Sequence, residues 1–208
     1  MPLNIMRRPG TEIGDNYESP ADYLGRNRII SLQGAIFGPP HRLDATNPAA
    51  VYNTILALAR EDVVKPIYLF IDSPGGDVDT GFQLYDLIRM LPTPIITIGQ
   101  SCQSMATVIL AGGSKRYLLP NSRVMLHLPK MSGGGGDSKD MKAQAVEIKR
   151  VQNAIINAYV ECGVHRDAKK IALDLERDNW MSATEALEYG LVDGIMTQEF
   201  MREILSNF

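Results

Sequence analysis

Cysteine is nearly absent: Cys102 and Cys162 are the only two in 208 residues. Neither belongs to a C-x-x-C pair or has a histidine nearby at ligand spacing, which argues against a disulfide framework and against a zinc site. An excess of charge of either sign is lacking too. Lysine and arginine number 21 against 24 aspartates and glutamates, a net charge of −3, which leaves no basic stripe for nucleic acid. No apolar run approaches the roughly 18–20 residues of a membrane span, and the N-terminus MPLNIMRRPG carries no apolar stretch ahead of a cleavage site. The expectation is a cytoplasmic protein with neither a nucleic-acid nor a membrane partner, and without redox or metal chemistry.

What is present is an alternation of short apolar runs, glycine turns and helical patterns. Asn47-Pro48 reads as an N-cap followed by the residue tolerated at the first helical position, and Val51, Ile55 and Leu58 then share one face. The helix ends before Lys65-Pro66, and IYLFI (67–71) is a continuous apolar run suited to a strand covered on both faces. A second helix over about 80–91 stops at Pro92, and PIITI (94–98) supplies the next strand. A third helix spans 104–112, RYLL (116–119) and VMLH (124–127) read as strands, and PNS between them reads as a turn. This βαβ rhythm predicts an α/β protein. SGGGGDS (132–138) cannot be pinned by packing and is expected to be a poorly ordered loop. After it Met141, Ala145, Ile148, Ile155 and Tyr159 predict a long amphipathic helix over 139–162, closed by Gly163 and free to project from the globule. Ser182 to Glu185 forms a capping box, with Gly190 as the stop and LVDGIM as a last strand. No repeat or linker divides the chain: residues 1–26 form an N-terminal segment and 27–208 a single domain.

GQSCQSMAT (99–107) places two serines and a cysteine between an apolar strand and an apolar helix. A serine hydroxyl needs a base within hydrogen-bond reach, and gains from backbone N–H groups that can hold the oxyanion formed on attack. Ser104, directly before the helix, fits better than Ser101, because the Met105 N–H and its own Oγ would face the same space. The alternative for Ser104 is a plain N-cap. His127, ending VMLH, is the candidate base, against a structural histidine. The acid that orients it could be any carboxylate the fold brings near; LERDNW offers Asp178, whose other reading is a solvated loop carboxylate. Gly75 and Gly76, in DSPGG after the buried strand, allow a backbone nest for an anionic group, although a tight turn without function is the commoner meaning.

The series YLFIDSPGGDV, GQ…SMA, RYLLPNSRVMLHLP and LERDNWMSATEALEYGLVDGI closely resembles the motifs of the Clp protease proteolytic subunit family (ClpP), in the same order and from about residue 27 to 197. The resemblance implies a crotonase-like α/β superhelix of ββα units with a protruding handle helix. It implies Ser104 as nucleophile, His127 as general base and then acid, Asp178 as the carboxylate orienting His127, and Gly76 and Met105 as oxyanion-hole donors. It further implies serine endopeptidase activity on unfolded polypeptides with no cofactor. Two stacked heptameric rings would enclose the active sites, fed by an AAA+ unfoldase of ClpX, ClpA or ClpC type. Tyr68, Phe70, Tyr117 and Leu119 match positions where the family docks the unfoldase, while ordinary sheet core is their other reading. The glycine tract would fall where the rings meet. Three residues, Ser101-Cys102-Gln103, separate Gly-Gln from Ser-Met where two small ones are usual, and a leucine follows His127 where glutamine is common. Two rival readings are a catalytically silent ring subunit and a crotonase-fold acyl-CoA enzyme.

Overall fold

The computed structural model describes residues 20–37, 46–129 and 138–206. In chain order these form α1 (Pro20–Arg26), β1 (Ile29–Gln33), α2 (Pro48–Glu61), β2 (Ile67–Ser73), α3 (Val78–Met90), β3 (Ile95–Gln103), α4 (Met105–Ala111), β4 (Lys115–Leu126), α5 (Ser138–Cys162), α6 (Ala168–Asp174), β5 (Asn179–Ser182), α7 (Ala183–Tyr189), β6 (Gly194–Ile195) and α8 (Gln198–Ser206). The strand order is β1-β2-β3-β4-β5. The first four strands run parallel, β5 is antiparallel to β4, and β6 pairs with β4 as well. The α/β expectation holds, and the parallel pairs are the reason helices must cross between strands.

Local chemistry sets the helix ends. Asn47 accepts a hydrogen bond from the Ala50 N–H at 2.9 Å, Asp77 caps α3 through the Thr80 N–H, and Ser182 with Glu185 closes the capping box at α7. Strand alternation divides β2 between two cores. Ile67, Leu69 and Ile71 face the main core with α2, α3, α4 and the second half of α5. Tyr68 faces a second cluster with Ile29, Ile98, Met196 and Ile204, where Phe70, Tyr117, Leu119, Phe200 and Met201 pack half-buried. The amphipathic helix α8 covers that cluster, and Phe200 lies 4.8 Å from the Tyr117 ring. No helix among the described residues is long and apolar enough to cross a membrane.

Several expectations need correction. The strand predicted over 94–98 is longer and takes in GQSCQ: β3 runs on through Gln103, its register on β2 and β4 shifting between Gly99 and Ser101. Likewise RYLL and VML belong to one strand, which ends just before His127. The register steps from Gly99↔Leu118 to Ser101↔Arg123, so β4 carries its extra residues as a bulge, and Ser122 Oγ ties it back by donating to the Gly99 carbonyl at 2.8 Å. The last strand shrinks to Gly194–Ile195. In α5 only Ile155 and Tyr159 of the predicted apolar face are buried; Met141 is 62% exposed, and no described residue in the first half of the helix is buried. The glycine tract at 132–137, and residues 1–19 of the N-terminal segment, lie outside the described residues.

Candidate active site

The site is built on the step from β3 to α4. Ser104 has φ 54° and ψ −126°, and it and Arg28 are the only non-glycine residues with positive φ among those described. Such a conformation costs an L-residue about 1–3 kcal/mol and survives only when its surroundings impose it. Here they do: the Ser104 N–H donates to the Met125 carbonyl at 2.7 Å, and the Ser104 carbonyl accepts from the Thr107 N–H at 3.0 Å and from Thr107 Oγ1 at 2.6 Å. The Ser104 hydroxyl makes no capping bond. Ser104 thus holds the N-cap position without capping through its side chain, and it lines a cavity of about 210 Å³. Cys102, two residues earlier, is no competitor as nucleophile. It is fully buried, its Sγ donates weakly to the Ile71 carbonyl at 3.6 Å, and burial pushes the thiol far up from its ordinary range.

The glycine turn lies against this elbow. Ser73 Oγ accepts from the Gly75 N–H at 3.1 Å, and Ile36 bridges the turn by donating to the Gly75 carbonyl at 2.8 Å and accepting from the Asp77 N–H at 2.6 Å. The Gly76 N–H takes no part in that bridge. Both glycines are required. A Cβ on Gly75, at φ +88°, would sit 2.7 Å from the Ser104 Cβ and 2.9 Å from the Met105 nitrogen, and one on Gly76, at φ +149°, would overlap the Ile36 carbonyl oxygen. Met105 is the first helical residue, and the opening N–H groups of a helix have no intrahelical acceptor. Its own N–H donates to no backbone carbonyl of the described residues.

His127 follows the last residue of β4 and is half-buried in the same cavity, which Gly76, Val78, Ser104, Met105, Val108, Pro129, Ile155 and Tyr159 also line. The walls other than Ser104, His127 and the backbone of Gly76 are mostly apolar. Asp178 directly precedes β5. Leu126 and Asn179 are the last pair of the antiparallel β4–β5 ladder, so His127 and Asp178 are the residues that follow and precede it, and beyond them the Leu128 N–H donates to the Leu175 carbonyl at 2.9 Å. Asp178 itself is exposed. Four predicted residues thus line one cavity, and the fifth, Asp178, stands next to the end of the β4–β5 ladder that leads to His127. The predicted docking residues share the second cluster, where Tyr68 is only 4% exposed and Phe70, Tyr117 and Leu119 are half-buried.

Sequence reasoning missed Thr107 and Tyr159. Both are buried, and Thr107 Oγ1 lies 2.6 Å from the Tyr159 hydroxyl across 52 residues. The one available signal was a polar atom inside an otherwise apolar helix, MATVILA. A larger cavity of about 310 Å³ between α2 and α3, walled by Phe37, Tyr52, Asn53, Thr80 and Gln83 among others, holds neither a histidine nor a carboxylate among its described walls. Size does not identify the site here. No cluster of three or more potential metal ligands occurs among the described residues.

The Clp protease family model matches residues 14–199. The chain is also 40% identical over 192 residues to the ATP-dependent Clp protease proteolytic subunit 1 of Borreliella burgdorferi, covering 88% of this chain and 93% of that protein. With the match spanning most of both sequences, the chain belongs to the Clp protease family.

Proposed function

We propose that this chain is the proteolytic subunit of an ATP-dependent Clp protease, a serine endopeptidase that hydrolyses peptide bonds of unfolded polypeptides through Ser104, His127 and Asp178. One observation carries the reading: Ser104 is held in a strained conformation, its hydroxyl makes no capping bond, and it shares a cavity with His127 and the Gly76 turn. A subunit retained only for assembly would have no use for that strain. An acyl-CoA hydratase or isomerase would need the glycine N–H groups but would leave the serine and histidine without a task.

In this mechanism Ser104 Oγ attacks the substrate carbonyl carbon while His127 takes the hydroxyl proton, and the carbonyl oxygen becomes an oxyanion held by the Gly76 and Met105 N–H groups. Asp178 fixes the imidazole's tautomer and balances the imidazolium that forms. The intermediate collapses as His127 delivers that proton to the amine leaving group, giving an acyl-enzyme. Water, deprotonated by His127, attacks the ester, and the proton returns to Ser104 Oγ. The mostly apolar walls, Val78, Val108 and Ile155 among them, exclude bulk water around these steps.

The assembly follows from the same reading. The chain acts in the cytoplasm in stacked heptameric rings. The exposed first half of α5, with Met141 and Val146, is free for contacts between copies. An AAA+ unfoldase delivers unfolded polypeptide and docks by Phe70, Tyr117 and Leu119, with the buried Tyr68 beneath them. The test is kinetic. Ser104→Ala should lower hydrolysis of a short fluorogenic peptide by on the order of 10³-fold or more, while Ser101→Ala, in β3, retains most of it. Full activity in Ser104→Ala would overturn the assignment.

A further inference from the structure

The Ser104 carbonyl and the Met105 N–H are two ends of one peptide unit. No cis peptide occurs among the described residues, so the two groups point in opposite directions, and whatever holds the carbonyl aims the N–H. The carbonyl is held by Thr107 twice, through its N–H at 3.0 Å and its Oγ1 at 2.6 Å. Thr107 Oγ1 has a single hydrogen. A carbonyl can only accept, so that hydrogen goes to Ser104, and the 2.6 Å contact between Thr107 Oγ1 and the Tyr159 hydroxyl then requires Tyr159 to be the donor. The chain of donation runs in one direction: Tyr159 O–H to Thr107 Oγ1–H to Ser104 C=O. Thr107 is fully buried and Tyr159 is 1% exposed, so water does not compete for these bonds. Burial also pushes the phenol of Tyr159 well above its ordinary range, keeping the donating hydrogen in place.

We infer that Thr107 and Tyr159 are positioning residues for the oxyanion hole: the relay from α5 through α4 pins the Ser104–Met105 peptide so that the Met105 N–H faces the cavity where the oxyanion forms. The inference rests on the serine-peptidase reading above. The relay does two things. It supplies most of the restraint on ψ of Ser104, which at −126° lies outside the wells an L-residue prefers when φ is positive. It also polarises the peptide, because hydrogen bonds accepted at a carbonyl strengthen the donor at the other end of the same unit. Seating the second half of α5 against α4 thereby becomes a condition for catalysis, although neither side chain need touch the reacting atoms.

The experiment measures kcat and KM on a fluorogenic peptide for Thr107→Val, Thr107→Ser, Tyr159→Phe and the double variant Thr107→Val/Tyr159→Phe, in the full-length chain, with Tm measured alongside. Outright loss of an oxyanion-hole donor costs about 10²–10³-fold in kcat, so a donor that is present but loosely aimed should cost about tenfold. Thr107→Val should show that loss in kcat with KM within about twofold, since an orienting defect is felt in the transition state and not in ground-state binding. Thr107→Ser, which keeps the hydroxyl, should recover most of kcat. Tyr159→Phe should cost a few-fold alone and nothing further in the Thr107→Val background, because the relay is already broken there. A folded Thr107→Val variant with wild-type kcat, or additive losses in the double variant, would overturn the inference and leave the bonds as core packing alone. Failure of the underlying reading looks different: Ser104→Ala would retain activity whatever Thr107 does.

Discussion

A single methyl group added at Gly75 should separate folding from catalysis at this site. The new Cβ would stand 2.6 Å from the Gln103 carbonyl oxygen, 2.7 Å from the Ser104 Cβ and 2.9 Å from the Met105 nitrogen, where ordinary van der Waals contact begins at 3.4 Å. All three neighbours belong to the nucleophile elbow, and none is the far end of a flexible side chain. The elbow and the turn must therefore part by roughly half to nearly one ångström. The backbone at φ +88° adds a cost of about 1–2 kcal/mol for any L-residue, and overpacking adds about 1–3 kcal/mol. Gly75→Ala should thus lose about 2–5 kcal/mol of stability and, since a displacement near 1 Å costs about 10²-fold in rate, about two orders of magnitude in kcat. Gly34→Ala is the control. It carries a similar backbone penalty at φ +76° but meets no atom within 4 Å, so it should lose on the order of 1 kcal/mol and no activity. Peptide hydrolysis would be read at a temperature where circular dichroism shows both variants folded. Equal kcat in the two variants would refute the claim that the glycine turn sets the elbow.

Three further outcomes follow from the same geometry. A histidine base must be neutral to accept the serine proton, so kcat/KM should fall on the acid side, and a flat profile down to pH 5 in a stopped assay would contradict it. Asp193 holds Arg116 through two side-chain contacts, one of 2.6 Å; burial alone would raise its carboxyl, but the hydrogen bonds and charge of Arg116 outweigh this and hold it below the usual range. Its stabilisation is complete above the unfolded carboxyl value near 4 and is lost as pH falls through the lower folded value. Asp193→Asn should therefore cost about 2–3 kcal/mol at pH 7, a gap to wild type that narrows below about pH 4 in urea titrations. Leu119→Ala should weaken unfoldase-dependent degradation of a folded substrate more than peptide cleavage, and equal loss in both assays would count against the docking role.

Much of this arrangement is legible in local signals. The cap at Asn47, the capping box at Ser182 and the apolar strand at 67–71 each depend on neighbours in sequence, and each appears where the residues place it. The strand β4 is misread because Pro120, Asn121 and Ser122 carry turn chemistry. What overrides them is non-local: a shifted parallel register with β3, which absorbs those residues as a bulge. The same shift hides the strand character of GQSCQ. Ser104 stands out as a nucleophile by its place before an apolar helix, but its strained φ and ψ come from Met125 and Thr107 and from no residue type at the position itself. His127 and Asp178 are candidates by residue type and position and take their roles from the family resemblance, whereas the pairing of the strands next to them depends on the β4–β5 register. The helix α8 goes unread because its apolar face has meaning only against the second cluster on the sheet. Of the pair Thr107 and Tyr159, separated by 52 residues, only the hydroxyl inside the apolar helix MATVILA is a local signal, and their pairing has none.

The central claim is that Ser104 is an activated nucleophile, and covalent trapping tests it most directly. The wild-type chain would be treated with a serine-directed fluorophosphonate, digested and mapped by mass spectrometry. The account predicts a single adduct on Ser104, abolished in Ser104→Ala and slowed sharply in His127→Ala, because the reagent reads activation by the base as well as exposure of the hydroxyl. An unlabelled chain, or an adduct on Ser101 with Ser104 untouched, would contradict it.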